Sequence, residues 1–429
     1  MTSSEATTAW LNSAAGLLTT RRLRAHAIIL AVCLWGACAV DFLTPGVFDR
    51  AGNIKFQDFL QFPISAHLIV EGRATDLYDD AVLAQNIRAI VGSRANVFLR
   101  YFYGPQVALL FVPLAHSPFL VQAAIWVTLS LSMYFGSVYL LSKTTPSLVP
   151  HRRLVVLCAL AYPPLFHFFV RGQVSAVPLV CFVAAYLAFR LEHDLIAGIF
   201  LGFLVLKPQF LVAIPFVLLL AQAWKILAAV ATSAGLQLIL TYIYFGREVM
   251  SLYLKMLLHS AAEPATTELT LSRIQMHSLR SFWDLLLPWP HAVWFFYLLS
   301  SFVVIAIAAA IWKSSGPPAI RFSALVLAAA LVNPHIYIYD LLALAPPLLL
   351  LAGWVLHNPK HRQAAVLGLL LYLAVICPLF GPLARWTHIQ LSVVVFAAIL
   401  WVLHRATAGC GAPIMVSSDC AFSSQCPHP

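Results

Sequence analysis

Long apolar runs alternate with short polar clusters along almost the whole chain. The runs lack the every-second-residue alternation of a barrel strand, and several approach the length of about 20 residues that a helix needs to cross a bilayer. Inside hydrocarbon, every backbone N–H and C=O group needs a partner, and a helix pairs these groups within its own segment. The pattern therefore predicts an all-α polytopic membrane protein.

The first apolar run, at about 27–40, predicts a span that begins on the cytoplasmic side. Arg21, Arg22 and Arg24 precede it, and basic residues flank membrane helices mainly on the cytoplasmic face. No small-residue cleavage signature follows the run directly, so we expect the span to be retained. About twelve spans result when the remaining runs are counted in the same way. These runs lie at 119–142, 154–170, 175–190, 196–206, 210–223, 228–245, 291–312, 319–334, 338–356, 363–380 and 387–403.

The segment 100–116, RYFYGPQVALLFVPLAH, decides on which side the later basic clusters fall. It is short for a span, and Pro105 and Pro113 interrupt it, which favours a re-entrant hairpin. If it does not cross, Lys143 and the basic clusters that follow lie in the cytoplasm, and if it crosses, they lie outside. We favour the first alternative, with the helices arranged around a structured first loop.

This topology divides the chain into a cytoplasmic N-terminal segment, a transmembrane domain and a cytoplasmic tail. Their bounds are 1–25, 26–405 and 406–429. The transmembrane domain contains a first exoplasmic loop at 46–118 and a second large one at 246–290. The tail consists mainly of small and polar residues, so we expect it to be disordered.

Composition indicates that lipid is the main solvent of the chain. Hydrophobic residues make up 61% of it and charged residues 10%, whereas a soluble domain has about 25% charged residues. The net charge is +10, but the basic residues form short clusters between apolar runs, where attraction to membrane lipids explains them. No nucleic-acid partner is therefore expected. The cysteines form no CxxC motif, and we expect no metal site, disulfide framework or cofactor.

The stretch Lys55 to Asp79, KFQDFLQFPISAHLIVEGRATDLYD, is the first acid-bearing stretch after the first span. Its apolar residues recur at roughly helical spacing, which predicts a short amphipathic helix along the membrane surface. We interpret Asp58 in this stretch as a general base, because attack by a sugar hydroxyl requires a proton acceptor. The alternative is a solvated carboxylate or a helix cap. No second carboxylate is an obvious partner for paired acid and base catalysis.

Polar breaks between apolar runs supply candidate cations. Lys207, in LVLKPQF, is costly in a membrane unless it reaches the surface or meets an anion. Pro208 breaks the helix there, so the turn could present the ammonium to a phosphate. Arg171 and Gln173 flank a glycine in a second break, which could equally be a tight interhelical turn. His335 follows a third break and could bind an anionic group or cap a helix.

Further candidates are less specific. Asp340, in YIYDLLALAPP, should face the bundle and pair with a cation there. His277 and Arg280, in a segment that also contains Arg273, could bind acceptor or sugar, although charged loops are mostly solvated. Arg100 and Tyr103 are added for the same role. The predicted topology places eight candidates at the exoplasmic ends of helices or in exoplasmic loops, where the head group of a lipid-linked substrate would lie. They are Asp58, Arg100, Tyr103, Arg171, Gln173, Lys207, His277 and His335.

Several segments resemble, in order and spacing, glycosyltransferase family 87 of the GT-C superfamily. The resemblance covers roughly residues 30 to 400. Where the family often has tyrosine followed by two or three prolines, this chain has Tyr103-Gly104-Pro105-Gln106. The matching segments are DFLQF…EGRATDLYD, RYFYGPQVALLFVPL, YPPLFHFFVRGQVS, GIFLGFLVLKPQF and NPHIYIYDLLALAPP.

The resemblance implies an inverting, metal-independent transferase that moves a sugar, typically mannose, from a polyprenyl phosphate to a lipid or glycan acceptor. The reaction would take place on the periplasmic side of the inner membrane. The family's aspartate falls on Asp58 as general base, its lysine on Lys207 beside the donor phosphate, its glutamine on Gln173 and its histidine on His335. Arg171 as a further phosphate ligand is our addition to the family pattern.

Two other functions remain open at this stage. A transporter or flippase for a lipid-linked sugar would also need many helices and a cationic cavity. Transporters of this size often contain internal repeats, and the sequence shows none. A non-catalytic assembly factor is the other alternative, and it would not require Asp58 and Lys207 to reach one bound phosphosugar.

Overall fold

A computed structural model describes residues 16–92, 99–262 and 274–408, and the parts of the chain that it describes are helical apart from short connections. Residues 1–15 of the predicted N-terminal segment, 263–273 of the second loop and 409–429 of the tail lie outside the described residues. The α-helices are α1 Thr20–Phe42, α2 Gln61–Val70, α3 Asp80–Val91, α4 Pro105–Leu109, α5 Phe119–Thr144, α6 Arg152–Leu160, α7 Pro163–Arg171, α8 Ala176–Arg190, α9 Asp194–Gly202, α10 Ile214–Leu220, α11 Trp224–Ala262, α12 Leu279–Leu286, α13 Pro290–Lys313, α14 Pro318–Val332, α15 Ala345–His357, α16 Ala364–Ile376, α17 Ala384–Thr387 and α18 Leu391–Ala408.

The prediction of an all-α polytopic membrane protein is confirmed. Within the described residues, 7 helical segments are long and apolar enough to cross a membrane, or up to 8 if the pair α6 and α7, bent by 47°, is one span. Shorter apolar helices account for most of the other predicted spans, and the total of about twelve remains a prediction. The long segments are Thr20–Phe42, Phe119–Thr144, Trp224–His259, Pro290–Lys313, Ile338–His357, Ala364–Thr387 and Leu391–Ala408.

The first loop differs from the predicted amphipathic surface helix. Phe56 has a left-handed backbone, with φ 54°, and the short 3-10 helix Gln57–Leu60 then leads into α2. Almost every face of α2 is buried, because it packs against α4, against the 3-10 turn Val112–Leu114 and under the loop's own aromatic side chains. The short helix is therefore present but lacks a solvent-facing polar side, and its placement along the membrane surface remains a prediction. Its buried residues are Gln61, Phe62, Pro63, Ile64, Ser65, Ala66 and Leu68.

The segment 100–116 folds as α4 and the 3-10 turn Val112–Leu114. Each piece is too short to cross a bilayer alone. Together they cover α2 and complete a hydrophobic cluster that includes Phe59, Phe62 and Phe111. The re-entrant placement of this segment in the membrane remains a prediction.

The second predicted loop begins as helix. Gly246, with φ 78° and ψ 176°, interrupts α11, and helical structure then resumes and continues to Ala262. Glycine allows this backbone conformation because it has no Cβ atom. The part after the break buries Val249, Tyr253 and Met256, and the ring of Tyr253 lies 5.9 Å from that of Tyr78 in the first loop. The predicted loop at 246–290 is thus partly a helix that packs on the first loop.

The two ends of the helical bundle differ in their polar residues. At one end, Arg190 of α8 donates to the carbonyl of Thr144 at the end of α5, and Arg321 lies over the rings of Phe189 and Trp312. Gln173 lies just before α8, a helix of 15 residues, which separates it from Arg190 by about 22 Å. The candidate site residues described next lie at the Gln173 end.

Candidate active site

Asp58 lies on the short 3-10 helix Gln57–Leu60 and contacts two residues from a distant turn. Its Oδ2 accepts a hydrogen bond of 2.9 Å from Nε2 of Gln173, and its Oδ1 lies 3.6 Å from Nη1 of Arg171. The Asp58 side chain is 16% exposed. The Asp58 carboxylate is thus partly exposed and has one amide and one guanidinium as neighbours. A carboxylate in this setting can accept a proton from a bound hydroxyl.

The electrostatic surroundings of Asp58 act in opposite directions on its pKa. Burial raises the pKa of the Asp58 carboxyl above its ordinary value, because desolvation penalises the charged form. Arg171, the hydrogen bond from Gln173 and the more distant Lys207 each favour the charged form and limit the rise. A raised pKa makes a carboxylate a better general base near neutral pH.

The turn that supplies these partners depends on Gly172. The residue caps α7 in the left-handed conformation, with φ 68° and ψ 34°. A Cβ atom at this position would lie 2.8 Å from Cβ of Phe59 and 3.1 Å from Cβ of Phe56. Glycine therefore allows the turn to approach the backbone around Asp58 closely, which places a polar side chain on either side of the carboxylate.

Both polar atoms of the Gln173 side-chain amide, and its backbone carbonyl, form hydrogen bonds. Tyr103 donates its hydroxyl to Oε1 of Gln173 at 2.8 Å, and the Trp126 indole donates to the Gln173 carbonyl at 3.1 Å. With Oε1 occupied as an acceptor, Nε2 is the atom that faces Asp58. These contacts fix the orientation of the amide and, through it, the position of the carboxylate.

Lys207 lies inside the bundle rather than at its surface. Its side chain is 3% exposed, and its ammonium forms an ion pair with Asp340 and donates to Oγ of Ser175 at 3.1 Å. The backbone breaks at Lys207 between the 3-10 helices Phe203–Leu206 and Pro208–Leu211, which aims the side chain inward. The prediction that Asp340 faces the bundle and pairs with a cation is confirmed.

An aromatic pair surrounds the same ammonium and connects it to Asp58. Nζ of Lys207 lies 5.9 Å from the ring centroid of Tyr103 and 5.5 Å from that of Tyr339, distances at which cations interact with aromatic faces. Tyr103 also holds Gln173, which in turn holds Asp58. An unbroken series of contacts therefore joins the carboxylate to the ammonium, although the residues come from four separate parts of the chain.

A small cavity of about 10 Å³, room for about one water molecule, lies beside Lys207. Apart from the lysine, its walls are apolar and come from α4, from the start of α8 and from the 3-10 helix Phe203–Leu206. A cavity of this size does not hold a substrate as it stands, since ligand pockets span about 300–1,000 Å³, but its lining places a cation beside apolar side chains. The other lining residues are Val107, Leu110, Val174, Val177, Pro178 and Leu206.

His277, Arg280 and His335 form a second polar group. The backbone N–H of His277 donates to the carbonyl of Ile336 at 2.9 Å, which brings the two segments together. Arg280 lies with Nη1 3.3 Å from Nε2 of His335. Because a guanidinium can only donate, His335 accepts at Nε2 and carries its proton on Nδ1. Burial and the neighbouring Arg280 lower the pKa of His335 to about 4, so its ring is neutral at pH 7.

His277 is completely buried within this group. Its Nδ1 lies 2.7 Å from Oγ of Ser392, whereas its Nε2 is buried without a hydrogen-bond partner. Burial, followed by the neighbouring His167, lowers the pKa of His277 to about 3. The imidazole is therefore neutral and enclosed by protein, with Ser392 as its side-chain partner.

Arg100 is held by a different part of the first loop. Its Nη2 lies 2.9 Å from Oδ2 of Asp80, the first residue of α3, and its guanidinium lies 5.9 Å from the ring of Phe102. The sequence indicated the charge of Arg100 but not this ion pair. A role for Arg100 in binding the acceptor stays a prediction.

Sequence reasoning missed two residues that contact Lys207. Ser175 accepts from Lys207 and donates to Oδ1 of Asp340 at 2.7 Å, and Tyr339 supplies one of the aromatic faces. Ser175 follows Gln173 by two positions, and Tyr339 directly precedes Asp340. Their closeness to two residues already singled out was the only signal available in the sequence.

Comparison with known proteins gives one family. The model of glycosyltransferase family 87 matches residues 101–334. This range contains Tyr103, Arg171, Gln173 and Lys207, whereas Asp58 precedes it and Asp340 follows it. No curated protein and no solved structure matches the chain.

Proposed function

The chain belongs to glycosyltransferase family 87, a GT-C-type family, and from this membership we propose that it transfers mannose from a polyprenyl phosphate to a hydroxyl of a lipid or glycan acceptor. The observation that carries the proposal is the contact series from Asp58 through Gln173 and Tyr103 to Lys207. It combines a proton acceptor with a buried cation, which are the two groups that such a transfer needs.

In the proposed reaction, Asp58 takes the proton of the acceptor hydroxyl while the hydroxyl oxygen attacks the anomeric carbon of the sugar. The bond between that carbon and the phosphate oxygen breaks, and the phosphate leaves with the electron pair. Lys207 stabilises the negative charge that develops on the leaving phosphate, and Arg171 and His335 complete its binding site. A single displacement of this kind inverts the configuration at the anomeric carbon.

A lipid-linked donor fits the surroundings of Lys207 better than a soluble nucleotide sugar. The pocket beside the ammonium has walls that are apolar apart from Lys207 itself, and it lies within a helical membrane protein. The phosphate of the carrier would meet Lys207, and the first part of its isoprenoid chain would lie among the apolar side chains beside the lysine after they move apart. We assign the binding of sugar or acceptor to Tyr103, His277 and Arg280.

The charge distribution supports a site on the periplasmic side of the inner membrane. The end of the bundle that carries Arg190 and Arg321 lies opposite the end that carries Gln173 and Asp58. Basic residues favour the cytoplasmic face of a membrane protein. This orientation places Asp58 where acceptors of the cell envelope would be accessible.

The test is a transfer assay with purified full-length protein, mannosyl polyprenyl phosphate and a membrane lipid extract as acceptor. Asp58→Asn should lower the rate by about 10²- to 10⁴-fold, because the amide cannot take the proton. Asp76→Asn is the matched control, since Asp76 forms an exposed ion pair with Arg73 and should leave the rate unchanged. Turnover by Asp58→Asn at the wild-type rate would remove Asp58 from the mechanism, and direct use of a nucleotide sugar would contradict the proposed donor.

A further inference from the structure

We propose that Asp340 competes with the substrate's phosphate for Lys207, and that this internal competition sets how readily the spent carrier leaves. The inference rests on the proposed function, because it needs a phosphate at Lys207. In this role Asp340 positions the ammonium of Lys207 and takes no part in proton transfer. The buried ion pair between the two residues would thus affect product release.

The ammonium of Lys207 is held by Asp340 and Ser175. Both side chains are almost fully buried, with exposed fractions of 3% for Lys207 and 2% for Asp340. Oδ1 of Asp340 receives both the ammonium and the hydroxyl of Ser175, and its Oδ2 accepts the backbone N–H of Tyr337 at 3.3 Å. The carboxylate therefore keeps other donors if the ammonium moves away.

Lys207 has the means to move toward a phosphate. Its ammonium carries three N–H donors on a flexible stem, and Asp340 and Ser175 are its oxygen partners. The rings of Tyr103 and Tyr339 flank the ammonium, and their faces attract a cation that shifts between two anions. The cavity beside Lys207 has a volume of about 10 Å³, so a phosphate would bind there only as the neighbouring side chains move apart.

The balance of charges explains why competition would favour release. Asp58 and Asp340 offset Lys207 and Arg171, so the group is close to neutral without substrate. The donor is a phosphodiester with one negative charge, whereas the product carrier is a monoester with up to two negative charges near neutral pH. The product therefore meets more repulsion from Asp340 than the donor does, and Asp340 recaptures Lys207 as the product leaves.

A purely structural ion pair makes the opposite prediction. If the pair only stabilised the bundle, its loss would leave a buried charge without a partner and would weaken folding and binding together. If Asp340 competes with the phosphate, its neutralisation should strengthen phosphate binding even while it lowers the stability of the protein without ligand.

The experiment measures binding of farnesyl phosphate, a short prenyl monophosphate, to the detergent-solubilised full chain. Asp340→Asn should bind it about 5- to 150-fold more tightly than wild type, the range of typical coupling between two ligands. In the transfer assay the same variant should have a lower KM for the donor and a lower kcat, because the product stays bound. Asp340→Glu should return both values toward wild type, and Asp76→Asn should match wild type.

The outcomes separate this inference from the proposed function. Lys207→Met should lose farnesyl phosphate binding, and if wild type and all variants fail to bind it, the proposed donor and this inference fail together. If wild type binds and Lys207→Met does not, but folded Asp340→Asn binds equally or more weakly, the competition alone is overturned.

Ser175→Ala covers the case in which Asp340→Asn does not fold. Loss of the bridging hydroxyl should loosen the pair and tighten binding to a smaller degree, and unchanged or weaker binding would overturn the competition.

Discussion

Asp58 owes its chemical character to residues that lie far from it in sequence. Gln173 and Arg171 contact its carboxylate, and Tyr103 orients Gln173. Arg171 favours the charged form of the carboxylate, and Gln173 donates a hydrogen bond to it. Tyr103 acts on the carboxylate through the orientation of Gln173. Substitutions of the neighbours therefore have separable effects.

Arg171→Gln should move the acidic limb of the pH–rate profile to higher pH. Asp58 must be deprotonated to act as a base, so kcat/KM rises with pH through its pKa, which burial holds above the ordinary value. Arg171 is the main charge that lowers this pKa, and its loss should raise the pKa further. The measurement is kcat/KM between pH 4 and pH 9, with Arg73→Gln as the control. An acidic limb that does not move would show that Asp58 is not the titrating base.

Tyr103→Phe should lower kcat by about tenfold, because a lost buried hydrogen bond of ~1.4 kcal/mol no longer holds the amide toward Asp58. Tyr101→Phe is the matched control, since its hydroxyl contacts the carbonyl of Gly104 at 3.4 Å in the same cluster and not the Gln173 amide, which Tyr103 holds. The comparison needs steady-state rates and the thermal unfolding temperature of each variant. Equal rates for the two variants would mean that Gln173 does not need Tyr103.

The sequence identified most of these residues individually but not their partners. Asp58, Gln173 and Lys207 stand out because a polar residue between apolar runs is costly and needs a reason. The same cost predicts that Asp340 needs a cation, yet it does not select Lys207, which is 133 positions away. Pairing between distant residues depends on how helices pack, and a single sequence does not contain that information.

At the scale of elements, the end of α7 has the tightest geometric requirement. Its cap, Gly172, lies against Phe56 and Phe59, and the residues on either side of it contact Asp58. The helix end and the first loop therefore have to approach each other closely for the site to form. A side chain at the cap would push the two elements apart.

Gly172→Ala should lower both stability and transfer activity. The left-handed backbone costs a residue with a Cβ about 1–2 kcal/mol, and the contact with Phe59 adds to this cost. Gly136→Ala in α5 is the control, because a Cβ there meets nothing within 4 Å and should be neutral or slightly stabilising. Thermal unfolding and transfer rates test both variants. A Gly172→Ala protein with wild-type stability and activity would show that the close approach is not required.

The first loop shows the limit of predicting an amphipathic helix from the spacing of apolar residues alone. Apolar residues at roughly helical spacing predicted an amphipathic surface helix, but α2 has apolar or small residues on nearly every face. A pattern of this kind also suits a buried helix. Only the aromatic cover from residues such as Phe111, which comes later in the chain, decides between the two.

At the scale of the whole molecule, the helical membrane architecture followed directly from the apolar runs, but the number of spans did not. Segments such as Asp194–Leu206 and Pro208–Leu220 are apolar yet shorter than a span requires. Whether each short helix crosses the membrane depends on tilt and on its neighbours rather than on its own length. The sidedness of the site, by contrast, is open to direct measurement.

In sealed membrane vesicles with the periplasmic face outward, a membrane-impermeant thiol reagent should label Arg50→Cys but not Lys143→Cys. Both side chains are exposed, and they lie at the ends of α1 and α5 that we assign to opposite faces. The background for both is a variant without native cysteines that retains transfer activity. Labelling of Lys143→Cys before the vesicles are opened would reverse the proposed orientation.

The ion pair between Lys207 and Asp340 also has a consequence for biogenesis. The two residues are 133 positions apart, so the ribosome delivers the lysine to the membrane long before its counter-ion. Until the later helices arrive, an uncompensated ammonium would have to stay near the aqueous boundary or borrow a lipid head group. The helices around Lys207 can therefore settle at their final depth only after the C-terminal third of the chain has been inserted.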